Sequence, residues 1–284
     1  MAVYDVDGNV LTAVYDIDGS LLTQAYDVDG NPLIVSDPDT LKVMTYNPQW
    51  FTKINSQQMM QSAIINNNNA DIIGFQEFSK TTTIPSVASN ALANYSTLIL
   101  SNHYNYNAVA SKYALSDMTI ADFSAQDSYE SANETRCYMK SYITIGTKRI
   151  CWINTHLCYH SNVAQYAQMA EVFDMAQLED YVIITGDFNS WALSINDDDY
   201  IGLFKPFVDA RYNLANSTAL RGFTKTWGDS TTAASTSDLT YPTDNIITSR
   251  NILIDSVTFD TTKFSYLDGN PIDHIPVIAE LSIY

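Results

Sequence analysis

Positive charge is the scarcest property of this sequence: 14 lysines and arginines stand against 32 aspartates and glutamates, a formal net charge of −18 over 284 residues. Such a chain repels a polyanion at long range, which excludes a general nucleic-acid-coating role. It does not exclude chemistry on phosphates, because a divalent cation held by carboxylates inverts the local field. Cysteine is also rare. Cys137, Cys151 and Cys158 cannot all pair with one another and none forms a C-x-x-C unit, so neither a disulfide framework nor a thiolate zinc site is indicated. They read as inert core residues, in keeping with a reducing compartment. No apolar run approaches the roughly 20 residues needed to span a bilayer. The first residues, "MAVYDVDGNV", lack the basic and apolar stretches of a secretory signal. The expectation is a protein of the cytoplasm, or one delivered by or attached to a virion or cell surface.

What is present divides unequally. Residues 1–36 contain three copies of an eleven-residue unit, "YDVDGNVLTAV", "YDIDGSLLTQA" and "YDVDGNPLIVS". Asp-Gly before Asn or Ser signals a hairpin turn, and the intervening residues favour strands, which predicts a β-meander turning near Gly8, Gly19 and Gly30. The units have two carboxylates before the Gly and no Glu, short of an EF-hand calcium loop. So short a meander buries little apolar surface alone, which makes it a candidate for homo-oligomerisation or attachment to a larger assembly. Eight aspartates and no Lys or Arg up to Asp39 make the appendage responsible for −8 of the −18. Residues 37–40 read as a linker, and 41–284 as the main domain.

In that domain short apolar strands alternate with helical stretches. Strand candidates are "LKVMTY", "ADIIGFQ", "STLIL", "NAVAS", "CYMKSYITIG", "RICWINTHL", "YVIITG", "DNIITS" and "IPVIAELSI", with helices over 54–67 and 162–179. This is sheet-heavy for an α/β protein. Two packed, mainly antiparallel sheets flanked by helices fit better than one doubly wound parallel sheet.

The strand ends are polar in a systematic way. "VMTYN" ends on Asn47, "IIGFQE" on Glu77, "WINTH" on His156 and "IITGDFN" on Asp187 and Asn189, while "DNIITS" starts on Asp244 and "DHIPVIAEL" on Asp273 and His274. Rigid β scaffolds assemble sites from many such ends on one rim. The motifs "TYN", "QE", "NTHL", "GDFN", "DNIITS" and "DH", in this order, resemble those of the endonuclease/exonuclease/phosphatase superfamily of DNase I-like phosphoesterases. The resemblance covers about Leu41 to Tyr284. It implies a four-layer α/β sandwich with a metal site at one rim of the two sheets.

Phosphoester hydrolysis needs a hard cation, an in-line water, a group to take its proton and stabilisation of the phosphate charge. Mg²⁺ prefers oxygen ligands, with Mn²⁺ or Ca²⁺ as alternatives. Glu77, assisted by Asp273 and Asn47, is the expected ligand set. By the resemblance, His274 pairs with a carboxylate, Asp244, and activates water or polarises the phosphate, while Asp187 is the alternative water-activating group. The resemblance also makes Asn189 a holder of phosphate or water, His156 a donor to the phosphate or leaving oxygen, and Arg136 a phosphate clamp; Asn47 is the remaining phosphate-binding candidate. Arg136 could instead form a surface salt bridge with Glu130 or Glu134. His103 and His160 match no motif.

Three positions depart from the family pattern: Pro48 after Asn47, Asn245 inside "DNIITS" and Ile272 before Asp273. They bear on substrate more than on competence. Trp50, Phe51, Trp191 and Trp227 neighbour the motifs and could either stack bases or belong to the core. Arg136, Lys140, Arg221 and Lys225 are the basic residues expected near the rim. The expected activity is a Mg²⁺-dependent phosphodiesterase, first of all a DNA endonuclease. The alternatives are a phosphomonoesterase, a phospholipid- or inositol-phosphate-type phosphoesterase, or a structural attachment protein carrying this domain.

Overall fold

In a computed structural model the described residues are 38–51, 55–79, 84, 86–101, 106–129, 135–216, 223–228, 239–262 and 273–284, with the backbone of 25–26 and 32–33. The strands β1 (Ala25–Tyr26) and β2 (Pro32–Leu33) pair antiparallel around the third Asp-Gly. The rest of the expected meander, with its turns at Gly8, Gly19 and Gly30, lies outside the described residues. So do His103, Glu130, Glu134, Arg221 and Ile272.

The main body runs β3 (Asp39–Tyr46), α1 (Asn55–Asn68), β4 (Ile72–Phe75), α2 (Ser86–Ala91), β5 (Thr97–Leu100), β6 (Ala108–Ser111) and β7 (Ser116–Asp122). It continues with β8 (Cys137–Ile145), β9 (Lys148–His156), α3 (Asn162–Ala176), β10 (Val182–Asp187), a π-helical turn at Tyr200–Phe204 and α4 (Lys205–Asp209). Then follow β11 (Asn213–Leu214), β12 (Asp244–Thr248), β13 (Ile252–Phe259) and β14 (Val277–Ile283). β3 begins at Asp39, so the last two residues of the expected linker are strand.

Two six-stranded sheets result, ordered β11-β12-β10-β9-β8-β7 and β13-β14-β3-β4-β6-β5. Each has one parallel pairing at its centre, β9 with β10 and β3 with β4, and antiparallel neighbours elsewhere. Strand period sorts the side chains into layers. In β3, Leu41 and Val43 join Ile150, Trp152, Ile183 and Ile246 between the sheets, whereas Met44 and Tyr46 pack with Met60 and Ile64 of α1. On the other outer face Cys151, Ile153, Val182 and Ile184 meet Met169 and Val172 of α3 and Phe204 and Phe207. This is the expected four-layer sandwich. Cys137, Cys151 and Cys158 are buried, and burial pushes the Cys137 and Cys151 thiols up to about 12, which keeps them protonated.

Near one rim the inter-sheet layer changes from apolar to polar. Asn154 of β9 donates across the sheet gap to the carbonyls of Phe75 (2.9 Å) and Ala108 (3.1 Å). Its Oδ1 accepts from Gln76 Nε2 (2.8 Å) and Thr185 Oγ1 (3.0 Å), and Thr185 Oγ1 accepts in turn from Trp152 Nε1 (2.9 Å). Because these buried groups are satisfied, the belt joins the sheets at fixed spacing. Gly74 is required there: a Cβ would lie 2.1 Å from Thr185 Oγ1.

Candidate active site

One step beyond the polar belt, the same inward-facing parity delivers the site. Along β9 the series Ile150, Trp152, Asn154 ends on His156; along β10 Ile183 and Thr185 lead to Asp187; along β3 Val43 and Thr45 lead to Asn47. Register then places Asp187 directly between His156 of β9 and Asp244 of β12. Three adjacent strands thus present His156, Asp187 and Asp244 side by side. The facing sheet contributes Asn47, Glu77 and, just before β14, Asp273 and His274.

Glu77 would fall on the wrong parity after Gln76, but it adopts a left-handed backbone (φ 46°) and lines the cleft. Asn189 (φ 50°), Gln49 (φ 48°) and Trp50 (φ 67°) do likewise. Left-handed non-glycine residues cost about 1–3 kcal/mol each and persist where surrounding bonds over-determine them. Here Trp50 N donates to the Glu77 carbonyl (2.8 Å), and Asn189 N donates to Asp187 Oδ1 (2.9 Å). Gln165 of α3 holds the carbonyls of Phe188 and Asn189 from beneath, at 2.8 and 2.9 Å.

Gln49, Trp50, Glu77, Asp187 and Asn189 help to line a cleft of about 530 Å³. At its floor His274 Nδ1 lies 2.9 Å from Asp244 Oδ2, which also accepts from Thr243 Oγ1 at 2.9 Å. Asp187 Oδ2 stands 3.5 Å from the Nε2 of both His274 and His156. Asn47 Nδ2 donates to Asp187 Oδ2 (3.1 Å) and Glu77 Oε1 (3.4 Å). Its Oδ1 accepts from Gln49 N (3.0 Å), and Gln49 Nε2 donates to Asp273 Oδ2 (3.0 Å).

The electrostatics separate the two histidines. Burial opposes charge on His274, but Asp244, Asp187 and Asp273 together outweigh it and raise its pKa to about 10. Burial and the neighbouring Arg136 charge push His156 well below the usual histidine value, so its imidazole is neutral. Burial raises Asp187 above the ordinary carboxylate range; the His274 charge opposes this and Asp244 reinforces it. Burial and then Asp273 lift Glu77 to about 7.

Glu77 and Asp273 therefore repel one another, and among the described residues the cleft has more carboxylates than cations and Asp273 Oδ1 has no hydrogen-bond donor. The carboxylate oxygens of Glu77 and Asp273 fit a hard divalent cation, whereas Asn47 turns Nδ2 toward Glu77 while its Oδ1 accepts from Gln49 N. Asp187, Asp244 and His274 also bring one ligand atom each within 4.8 Å of one another. The 2.9 Å bond between His274 and Asp244 already joins two members of that second set, which leaves the Glu77 side the more open one.

The cleft collects Glu77, Arg136, His156, Asp187, Asn189, Asp273 and His274, with Asn47 and Asp244 bonded directly behind them. Arg136 is buried beside Tyr159, 5.6 Å from its ring centroid, rather than on the surface. Lys140 is not at the rim: its strand parity turns it toward the helix layer, where it pairs with Glu179 at 3.2 Å. Lys225 is exposed and outside the cleft lining. Phe51 is core, whereas Trp50, Trp191 and Trp227 line the cleft. His160 is exposed against Tyr129 and Tyr159. Sequence reasoning did not assign Gln49, Thr243, Tyr159 or Tyr241; Gln49 and Thr243 adjoin motif residues, but neither side-chain type by itself signals chemistry. Asn245, one of the departures, serves structure by exchanging hydrogen bonds with the backbone of Asn216 at 2.8 and 2.9 Å.

Residues 62–261 match the Endonuclease/Exonuclease/phosphatase family, and the chain belongs to it. Members of this family are phosphoester hydrolases and generally metal-dependent. Among solved structures, an endonuclease/exonuclease/phosphatase from Bacteroides vulgatus is similar at TM-score 0.69 and 16% identity, covering 86% of this chain and 99% of that one. A mannosyl-6-phosphatase from Bacteroides thetaiotaomicron gives 0.64 and 16%, covering 85% and 99%. TDP2 from C. elegans gives 0.64 and 19%, covering 88% and 78%. A search of curated proteins gave no match. At these identities the structures establish the shared fold. Among the described residues no helix is long and apolar enough to cross a membrane.

Proposed function

We propose that the protein is a Mg²⁺-dependent phosphodiesterase and that its substrate is DNA. The observation that carries this reading is Asp187, whose Oδ2 lies 3.5 Å from both imidazoles in a cleft where carboxylates outnumber cationic groups. Glu77 and Asp273 would hold the cation, with Asn47 a ligand only if its amide turns Oδ1 away from Gln49 N and toward Glu77; the cation when bound supplies charge neutralisation and polarises the phosphate. Asp187 would take the proton of an attacking water, a role that its raised pKa and its bonds from Asn47 and Asn189 support. His274, kept cationic by Asp244, stabilises the phosphate charge rather than acting as base. Neutral His156 and cationic Arg136 face the phosphate and leaving oxygen from the opposite side of Asp187. Asn189 positions the phosphate.

Cleavage of supercoiled plasmid in Mg²⁺ tests this reading. Nicking should disappear with EDTA and with His274→Ala. An intact plasmid together with intact single-stranded DNA would refute the DNA reading. A second reading, a small phosphoester, is favoured by a cleft in whose lining Arg136 is the one arginine or lysine among the described residues; release of inorganic phosphate without strand cleavage would select it. For residues 1–36 the proposed role is attachment or oligomerisation. Their removal should change the mass in solution and leave turnover intact.

A further inference from the structure

We infer that Trp191, Tyr241 and Trp227 form a stacking subsite for an unpaired nucleobase beside the scissile phosphate, so that the preferred substrate is single-stranded or melted nucleic acid. The inference rests on the phosphodiesterase reading for the position of the phosphate. Tyr241 is the middle ring: its centroid lies 5.2 Å from Trp191 at an interplanar angle of 19° and 6.0 Å from Trp227 at 21°. All three line the cleft.

Each ring is tied to a residue of the phosphate site. Trp191 follows Asn189 by two positions, and Tyr241 precedes Asp244 by three. Trp227 forms backbone bridges to both Tyr241 and His274, and Gly228 N donates to the Asp273 carbonyl at 2.9 Å. The Trp191 backbone is held by Asp199 Oδ2 (2.6 Å), whose other oxygen accepts from Tyr166 (2.8 Å). The stack is therefore fixed in distance from His274 and Asp187.

Exposure separates this stack from core packing. Trp191 is 58% exposed, whereas Phe51, Phe75 and Phe188 are at 0%. A ring already stacked on one side yet this open leaves aromatic surface available among the described residues. Charge decides between single strand and duplex. A duplex carries about one negative charge per 1.7 Å and needs cations along its backbone, but among the described residues Arg136 is the one arginine or lysine lining this cleft, and the chain carries −18. Stacking draws on the π-face of the base and needs no such track. A quaternary ammonium headgroup could also sit over these rings, so the test includes it.

The full chain in Mg²⁺ is titrated against fluorescein-labelled decathymidylate with hydrolysis-resistant phosphorothioate linkages, read by anisotropy. The single strand should bind about tenfold more tightly than the same sequence in duplex form. Trp191→Ala should weaken single-strand binding by about tenfold, and Trp191→Phe should restore most of it. Phosphocholine should not compete. Absence of oligonucleotide binding, equal affinity for duplex, an unaffected Trp191→Ala variant or displacement by phosphocholine each overturns the subsite. Trp191-dependent binding without hydrolysis of unmodified DNA would sink the phosphodiesterase reading alone. Plasmid nicking indifferent to Trp191 would sink the subsite alone.

Discussion

At the rim where β3, β4 and β9 begin, carboxylates meet cations: Asp39 faces Lys148 at 3.3 Å, and Asp71 faces Lys112 at 3.2 Å. At the opposite rim, where those strands end, Glu77, Asp187, Asp244 and Asp273 face Arg136 and one cationic histidine. The same parity and the same sheets serve both rims. What differs, among the described residues, is whether the carboxylates are matched by cations of the chain. A balanced rim is structure, and an unbalanced one with raised carboxylate pKa values calls for an external cation.

The largest expected effects come from the unbalanced rim. His274→Ala and Asp187→Asn should each lower kcat on a phosphodiester by at least about a hundredfold, with circular dichroism and melting temperature largely retained. A loss confined to KM would mean that these groups only bind substrate.

Next comes a stability test of the unbalanced charge. Glu77 is raised to about 7 from an ordinary 4.5, so the metal-free fold prefers the protonated form. That contribution is full below about 4.5 and is lost as pH rises through about 7. In EDTA at pH 8, Glu77→Gln should therefore be more stable than the natural protein by on the order of 1–2 kcal/mol, and equal to it near pH 4.5. Thermal melts across this range check the sign; a less stable variant at pH 8 would show that the charge is already balanced.

Between the rims, Gly74→Ala should cost about 1–3 kcal/mol in chemical denaturation by forcing Thr185 and Asn154 apart. The smallest effect belongs to the balanced rim: Lys148→Met should change stability by less than about 1 kcal/mol and leave turnover unchanged.

Much of the unbalanced rim was legible in sequence because polar residues close apolar runs: Asp187 and Asn189, two residues apart, follow the run Val182, Ile183 and Ile184. The strands that escaped notice, β7, β11 and β13, all lie at or next to sheet edges. β7 has no fully buried residue, and β13 is interrupted by a bulge between Ile254 and Ser256, so neither shows a clean apolar run. The pairing of Trp227 with both Tyr241 and His274 was equally hidden, since it joins segments far apart in the chain. Lys140 was misplaced for the opposite reason. Nearness to Arg136 in sequence says nothing of which face a strand residue takes, and β8 turns Lys140 toward Glu179.

If the cleft's surplus negative charge is a divalent-cation site, Glu77 is at its centre. Calorimetric titration of the metal-free protein with Mn²⁺ at pH 8 tests it most directly. Binding should be saturable, release protons and be weakened at least about tenfold in Glu77→Gln. Undiminished binding in that variant, or no saturable binding to the natural protein, would contradict it.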